Sequence, residues 1–125
     1  MSRVICDTNI LIGALNGKHE AIEIMRQIQP ENVVLSAITV MELYQGMGDK
    51  NQLAWMKKQI RYYDILHFTS EISKKAIELV HDFKLSHGLE IPDAIIAATA
   101  IHNQLPLATF NKKDFQFIPN VLLLA

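Results

Sequence analysis

The sequence predicts an α/β protein, a three-layer α/β/α sandwich built on a central parallel sheet. Three observations predict it. Short β-branched or apolar runs recur along the chain, each stopping at a polar residue or a turn. Between them lie longer segments whose apolar residues fall at helical spacing. The two kinds of segment alternate, and strands alternating with helices imply parallel strands covered by helices on both faces.

Arg3–Cys6 is the first strand, ended by the charge at Asp7. Asn9–Leu15 is apolar and closes at Asn16-Gly17, a short helix and a turn. In His19–Ile28 the apolar residues Ala21, Ile24, Met25 and Ile28 make one helical stripe, which Pro30 terminates. Val33–Leu35 is the second strand, and Ser36 is an N-cap for a helix through Gln45. Leu53, Met56 and Ile60 mark a further helix, with a strand following over Ile65–Phe68. The clearest helix lies between Thr69 and Gly88, with Ile72, Ala76, Leu79, Val80 and Phe83 on one face, Thr69 or Ser70 capping its start and Gly88 its end. Pro92 opens another, whose dense small residues from Ala94 to Ala100 suit close packing on a sheet. Leu105–Thr109 and Val121–Leu124 are read as the last strands.

The 125 residues are read as one domain, 1–125. Folding a chain of that length removes about two-thirds of its extended surface from water. Twelve Lys/Arg against thirteen Asp/Glu supply no bulk attraction to nucleic acid or to an anionic membrane. The lone Cys6 forms no intrachain disulfide, and no CxxC pair offers a zinc site. No secretory core develops before Asp7, and no apolar run approaches the ~18 residues of a membrane span. A cytoplasmic protein with no membrane partner is the expectation. The five histidines show no ligand spacing and are assigned no role.

Four acids stand out by position. Asp7 follows the first strand, Glu42 lies in the apolar helix after the second, Asp93 is in the first turn behind Pro92, and Asp114 follows the strand ending at Thr109. Singly, such Asp residues are commonly helix caps, stabilising by about 0.5–2 kcal/mol, and Glu42 is the solvent side of a helix. Together, at the carboxyl edge of one sheet, they would repel one another unless a cation neutralised them. An all-oxygen cluster of this kind suits a hard divalent ion.

Four blocks carry a family resemblance: Cys6-Asp7-Thr8-Asn9-Ile10-Leu11, Ser36-Ala37-Ile38-Thr39-Val40-Met41-Glu42-Leu43, Ile91-Pro92-Asp93-Ala94-Ile95-Ile96-Ala97-Ala98-Thr99-Ala100 and Leu107-Ala108-Thr109-Phe110-Asn111-Lys112-Lys113-Asp114-Phe115. In these blocks, ordered along essentially the whole chain, the sequence resembles the PIN-domain nucleases, and among them the small VapC-type toxins of toxin–antitoxin pairs. The resemblance implies a PIN-like fold and metal-dependent hydrolysis of RNA phosphodiester bonds. It assigns Asp7, Glu42, Asp93 and Asp114 to a Mg²⁺ or Mn²⁺ site, with Asp7 and Asp93 as direct ligands and Glu42 and Asp114 as ligands or water-orienting groups. It also matches Asn9, Thr109 and Asn111 to supporting polar positions. Phe110 departs from the small or polar residue common at its place. The resemblance further implies a small antitoxin partner and a homodimer.

Lys112 and Lys113, beside Asp114, are candidates for RNA phosphate contacts, whereas Lys57, Lys58 and Arg61 with Tyr62 and Tyr63 read first as an ordinary solvated face. Tyr44, Met47, Trp55 and Met56 are either core or a groove for the antitoxin peptide. A receiver domain would need paired acids after the first strand, and a haloacid-type phosphatase a DxD run where Asp7-Thr8-Asn9 stands. The alternative from another class is a catalytically silent PIN-like domain that binds RNA or a protein partner. Setting the four acids aside leaves nine acidic against twelve basic residues, a balance of +3, so near-neutrality does not argue against an RNA substrate.

Overall fold

The structure, a computed structural model, describes residues 2–124. Strands β1 (Val4–Cys6), β2 (Val33–Ser36), β3 (Asp64–Leu66) and β4 (Leu107–Ala108) form one parallel sheet in the order β3-β2-β1-β4. Helices α1 (Thr8–Leu15), α2 (His19–Ile28), α3 (Ala37–Gln45), α4 (Lys50–Ile60), α5 (Ser70–His87) and α6 (Ile91–Asn103) cover it. The sheet register places Val4 opposite Val33 and Cys6 opposite Ala108, so β1 lies in the middle of the sheet.

Side chains alternate across the pleat, and each face has its own core. Ile5, Val34 and Leu107 pack with α5, α6 and Phe115 on one side. Val4, Cys6, Val33 and Leu35 pack with residues of α1, α2, α3 and α4 on the other. Burial on both faces is why β1 and β2 read as continuous apolar runs rather than alternating ones.

The expected caps form. Ser36 Oγ accepts from the Ile38 N–H at 3.3 Å, and Thr69, not Ser70, caps α5 by accepting from Ile72 at 3.1 Å. Gly88 ends α5 at φ 67°, a left-handed conformation that favours glycine. Helix α4 begins three residues before Leu53, because Asp49 accepts from the Gln52 N–H at 2.8 Å and caps a polar first turn that hydrophobic spacing does not reveal.

The strand expected over Val121–Leu124 is reduced to one parallel bridge, Leu107 with Leu123. Its bonds are Leu107 N–H to the Leu122 carbonyl and Leu124 N–H to the Leu107 carbonyl, both 2.8 Å. The partner strand is too short to carry more. Leu105, the next residue facing that side, gives its N–H to the Ala100 carbonyl at 3.1 Å instead, and Thr109 turns away into the site described below. For β3 the observed strand starts at Asp64 and ends at Leu66, two residues short of the expected end. Among the described residues no helix is long and apolar enough to cross a membrane.

Candidate active site

All strands run parallel, so their carboxyl ends open on one edge. Asp7 leaves β1 there and serves first as the cap of α1, its Oδ1 accepting from the Thr8 N–H at 2.8 Å. Its other oxygen accepts from the Thr109 hydroxyl at 2.8 Å and from Asn9 Nδ2 at 3.2 Å. Capping and convergence therefore coexist in one side chain. Asp7 is only 6% exposed, and burial raises its pKa above the ordinary carboxylate value. The Thr109 and Thr8 bonds pull it back, while the charges of Glu42 and Asp114 push it further up.

Glu42 projects from α3 and accepts from the Thr8 hydroxyl at 2.8 Å. Asp93, half-buried in the first turn of α6, has its pKa pushed up to about 7, chiefly by burial and then by the charges of Asp7, Asp114, Glu42 and Glu90. Asp114 is exposed, at the end of the short 3-10 turn Lys112–Asp114. Four acids from four separate segments thus act on one another electrostatically. Among the described residues, no ion pair involves any of them.

Of the supporting positions, Asn9 and Thr109 join this network, with Asn9 Nδ2 also 3.4 Å from Thr109 Oγ1. Asn111 enters through its backbone N–H, which donates to Thr109 Oγ1 at 3.0 Å. Its residue is exposed, and the hydrogen bonds described for it involve no side-chain atom. Sequence reasoning missed Thr8 as the link from Asp7 to Glu42, and it missed the fully buried Thr39, whose hydroxyl lies 3.2 Å from that of Thr8. Signals for both exist: Thr8 lies between two singled-out residues, and Thr39 stands one helical turn before Glu42.

The basic group on α4 lies elsewhere. Residues Lys57, Lys58 and Arg61 immediately precede the start of β3, hence at the opposite edge of the sheet, where Arg3 pairs with Asp64 at 3.4 Å. Met56 is core, 2% exposed, so it offers no groove surface, while Trp55 beside it is exposed.

The donor set is hard and all-oxygen. Cys6 is buried, with its thiol pushed up to about 12 by burial and then by Asp7, so it offers no thiolate. No three His, Cys, Asp or Glu among the described residues are already drawn to metal-holding spacing. The oxygen donors of Asp7, Glu42, Asp93 and Asp114 are of the kind a hard divalent cation such as Mg²⁺ takes.

A family profile described as PIN domain matches residues 4–119. The chain belongs to the PIN-domain family. Curated proteins provide no significant match. Among solved structures, a chain of a toxin–antitoxin complex from Klebsiella pneumoniae is 33% identical, with a TM-score of 0.80 and 95% of each chain covered. A chain of a VapBC complex from Rickettsia felis, bound to a DNA fragment from its promoter, is 26% identical at a TM-score of 0.80, covering 97% of this chain and 96% of that one. A chain of DNA-bound VapBC from Salmonella typhimurium, 22% identical, shares the fold at a TM-score of 0.82, over 99% and 98%. With these relatives the PIN-domain protein is of the VapC type. PIN domains are generally nucleases.

Proposed function

We propose that this PIN-domain protein is a metal-dependent endoribonuclease, the toxin of a toxin–antitoxin pair. The observation that carries the reading is the set of four carboxylates, in which the charges of Glu42 and Asp114 help to raise the proton affinity of Asp7 and Asp93 and, among the described residues, no cationic side chain pairs with any of them. Asp7, Glu42, Asp93 and Asp114 hold one or two Mg²⁺ or Mn²⁺ ions, Asp7 and Asp93 directly and the other two directly or through water. A hard divalent ion, when bound there, would supply Lewis acidity toward water and the scissile phosphate.

The protein's own groups supply orientation. Thr109 and Asn9 fix the Asp7 carboxylate, and Thr8 fixes Glu42, so the acids are set before substrate arrives. Lys112 and Lys113, exposed beside Asp114, hold the RNA backbone. The toxin assignment draws on the similarity to chains of toxin–antitoxin complexes and includes a small antitoxin partner, a homodimer and a cytoplasmic site of action.

Sequencing of RNA ends tests the reading, comparing the protein with Mg²⁺, with chelator, and as Asp7→Asn. New ends are expected only in the first sample. Metal-supported cleavage by the folded Asp7→Asn protein would remove the assignment. Folded protein that binds RNA or a partner yet cuts nothing would establish the silent-domain alternative.

A further inference from the structure

Beside the acidic edge a cleft of about 410 Å³ opens between α2 and the segment after β4. It begins inside the site: Thr109, whose hydroxyl holds Asp7, lines it, and the N–H of the next residue, Phe110, donates to Asn9 Oδ1 at 3.3 Å. The Phe110 ring is half-buried, with Lys18 Nζ 4.3 Å from its centroid. Lys112 lines the same cleft, and α2 presents Glu20, Glu23 and Gln27 to it from the far side. The wall after β4 thus supplies an aromatic ring and Lys112, and the α2 wall supplies the carboxylates of Glu20 and Glu23.

That division of charge orients a strand. A phosphate is repelled by Glu20 and Glu23 but drawn to Lys112, so a strand would keep its backbone on the Lys112 side and turn a base inward. Glu23 is already engaged with Arg26 at 3.3 Å, which leaves Glu20 as the freer acceptor. A carboxylate accepts from an exocyclic amino group, which adenine, cytosine and guanine carry and uracil lacks.

We propose that this cleft is a nucleobase subsite that takes one unpaired base next to the scissile phosphate, stacks it against Phe110 and favours an amino-bearing base through Glu20. The proposal rests on the ribonuclease reading and deepens it, naming single-stranded RNA with adenine, cytosine or guanine at that position as substrate. It also gives a role to the aromatic residue that departs from the family pattern.

Two measurements test it. The first is equilibrium binding, with Mg²⁺ present, of short single-stranded RNAs to the Asp7→Asn protein, a readout independent of cleavage. Phe110→Leu, which keeps apolar volume but not the ring face, is expected to weaken binding roughly five- to hundredfold, and Phe110→Tyr to retain it. Glu20→Ala, at an exposed helical position, is expected to erase a roughly tenfold preference for amino-bearing bases over all-uracil RNA. The second is RNA-end sequencing with the otherwise unaltered protein, where Glu20→Ala should relax the base preference beside the cut while cutting continues. Equal binding of all-uracil RNA, or unchanged binding in Phe110→Leu, overturns the proposal, as does a Phe110-dependent affinity for a basic peptide without one for RNA. Loss of all cleavage with Phe110-dependent RNA binding intact would instead remove the ribonuclease reading and keep the subsite.

Discussion

The Thr109 hydroxyl donates to the Asp7 carboxylate at 2.8 Å, joining the ends of β4 and β1 inside the buried edge of the sheet. The same oxygen accepts from the Asn111 N–H, so one side chain sets both the acid and the loop that leads to Asp114. Thr109→Val keeps the shape but removes the donor. It is expected to cost about 1–3 kcal/mol of stability at neutral pH, because Asp7 loses a charge-assisted bond and the Asn111 N–H its acceptor. That bond favours ionised Asp7, so the pH profile of cleavage should also move to higher pH. Thr109→Ser should restore both, and a profile unmoved in Thr109→Val would separate the bond from the chemistry.

Asp93 gives the metal-free protein a pH dependence of definite sign. Its pKa is about 7 when folded, against about 3.9 in an unfolded chain, so the native state binds the extra proton between those values. Stability from this group is therefore greatest at acid pH, falls as pH rises from about 4 to 7, and levels off above. Thermal melts in chelator should show Tm declining across that window, less so in Asp93→Asn. Mg²⁺ should raise Tm more at pH 8 than at pH 6, since the ion competes with the proton, and Asp93→Asn should blunt that gain.

The two basic groups are predicted to differ in kind. Lys112→Ala and Lys113→Ala, beside Asp114, should weaken RNA binding and lower the slope of log affinity against log salt by about 0.7 for each phosphate left without its lysine. Lys57→Ala and Arg61→Ala, at the opposite edge of the sheet, should leave cleavage unchanged. Salt titrations of RNA binding on the four variants, with cleavage assays beside them, check both halves of the prediction.

Gly13 tests the packing that positions α1. Alanine in an exposed helix interior is favoured over glycine by about 1 kcal/mol. Here the added Cβ would stand 2.9 Å from the Cβ of Ala21 on α2 and 3.6 Å from the Phe110 ring. Overpacking costs typically about 1–3 kcal/mol, so Gly13→Ala is expected to destabilise despite its better propensity. A lowered urea midpoint with unchanged slope would measure it, and the shift of α1 should reduce cleavage through Thr8 and Asn9.

Much of the molecule was legible because its signals are local. The helix α5 declares itself through its apolar stripe and its Thr69 and Gly88 ends, and β1 and β2 through β-branched runs buried on both faces. Local signals also misled. Val121–Leu124 has strand chemistry but meets a neighbour that offers it only Leu107, the Leu105 N–H being taken by Ala100, and the polar first turn of α4 hid behind its lack of apolar spacing. Strand identity depends on the partner's backbone, which composition does not report.

For the acids the division falls in the same place. The sequence by itself determined the family resemblance, the alternation that makes the sheet parallel, and the position of each acid at the end of an element. It could not say whether a capping Asp is only a cap. The tertiary structure decided that Asp7 is a cap and a member of the cluster at once, that Thr8 ties it to Glu42, and that Lys57, Lys58 and Arg61 lie on the wrong edge to share in it. The reason is physical: hydrogen bonds and charge coupling between residues as far apart in the chain as Asp7 and Thr109 exist only once the parallel strands bring their carboxyl ends together.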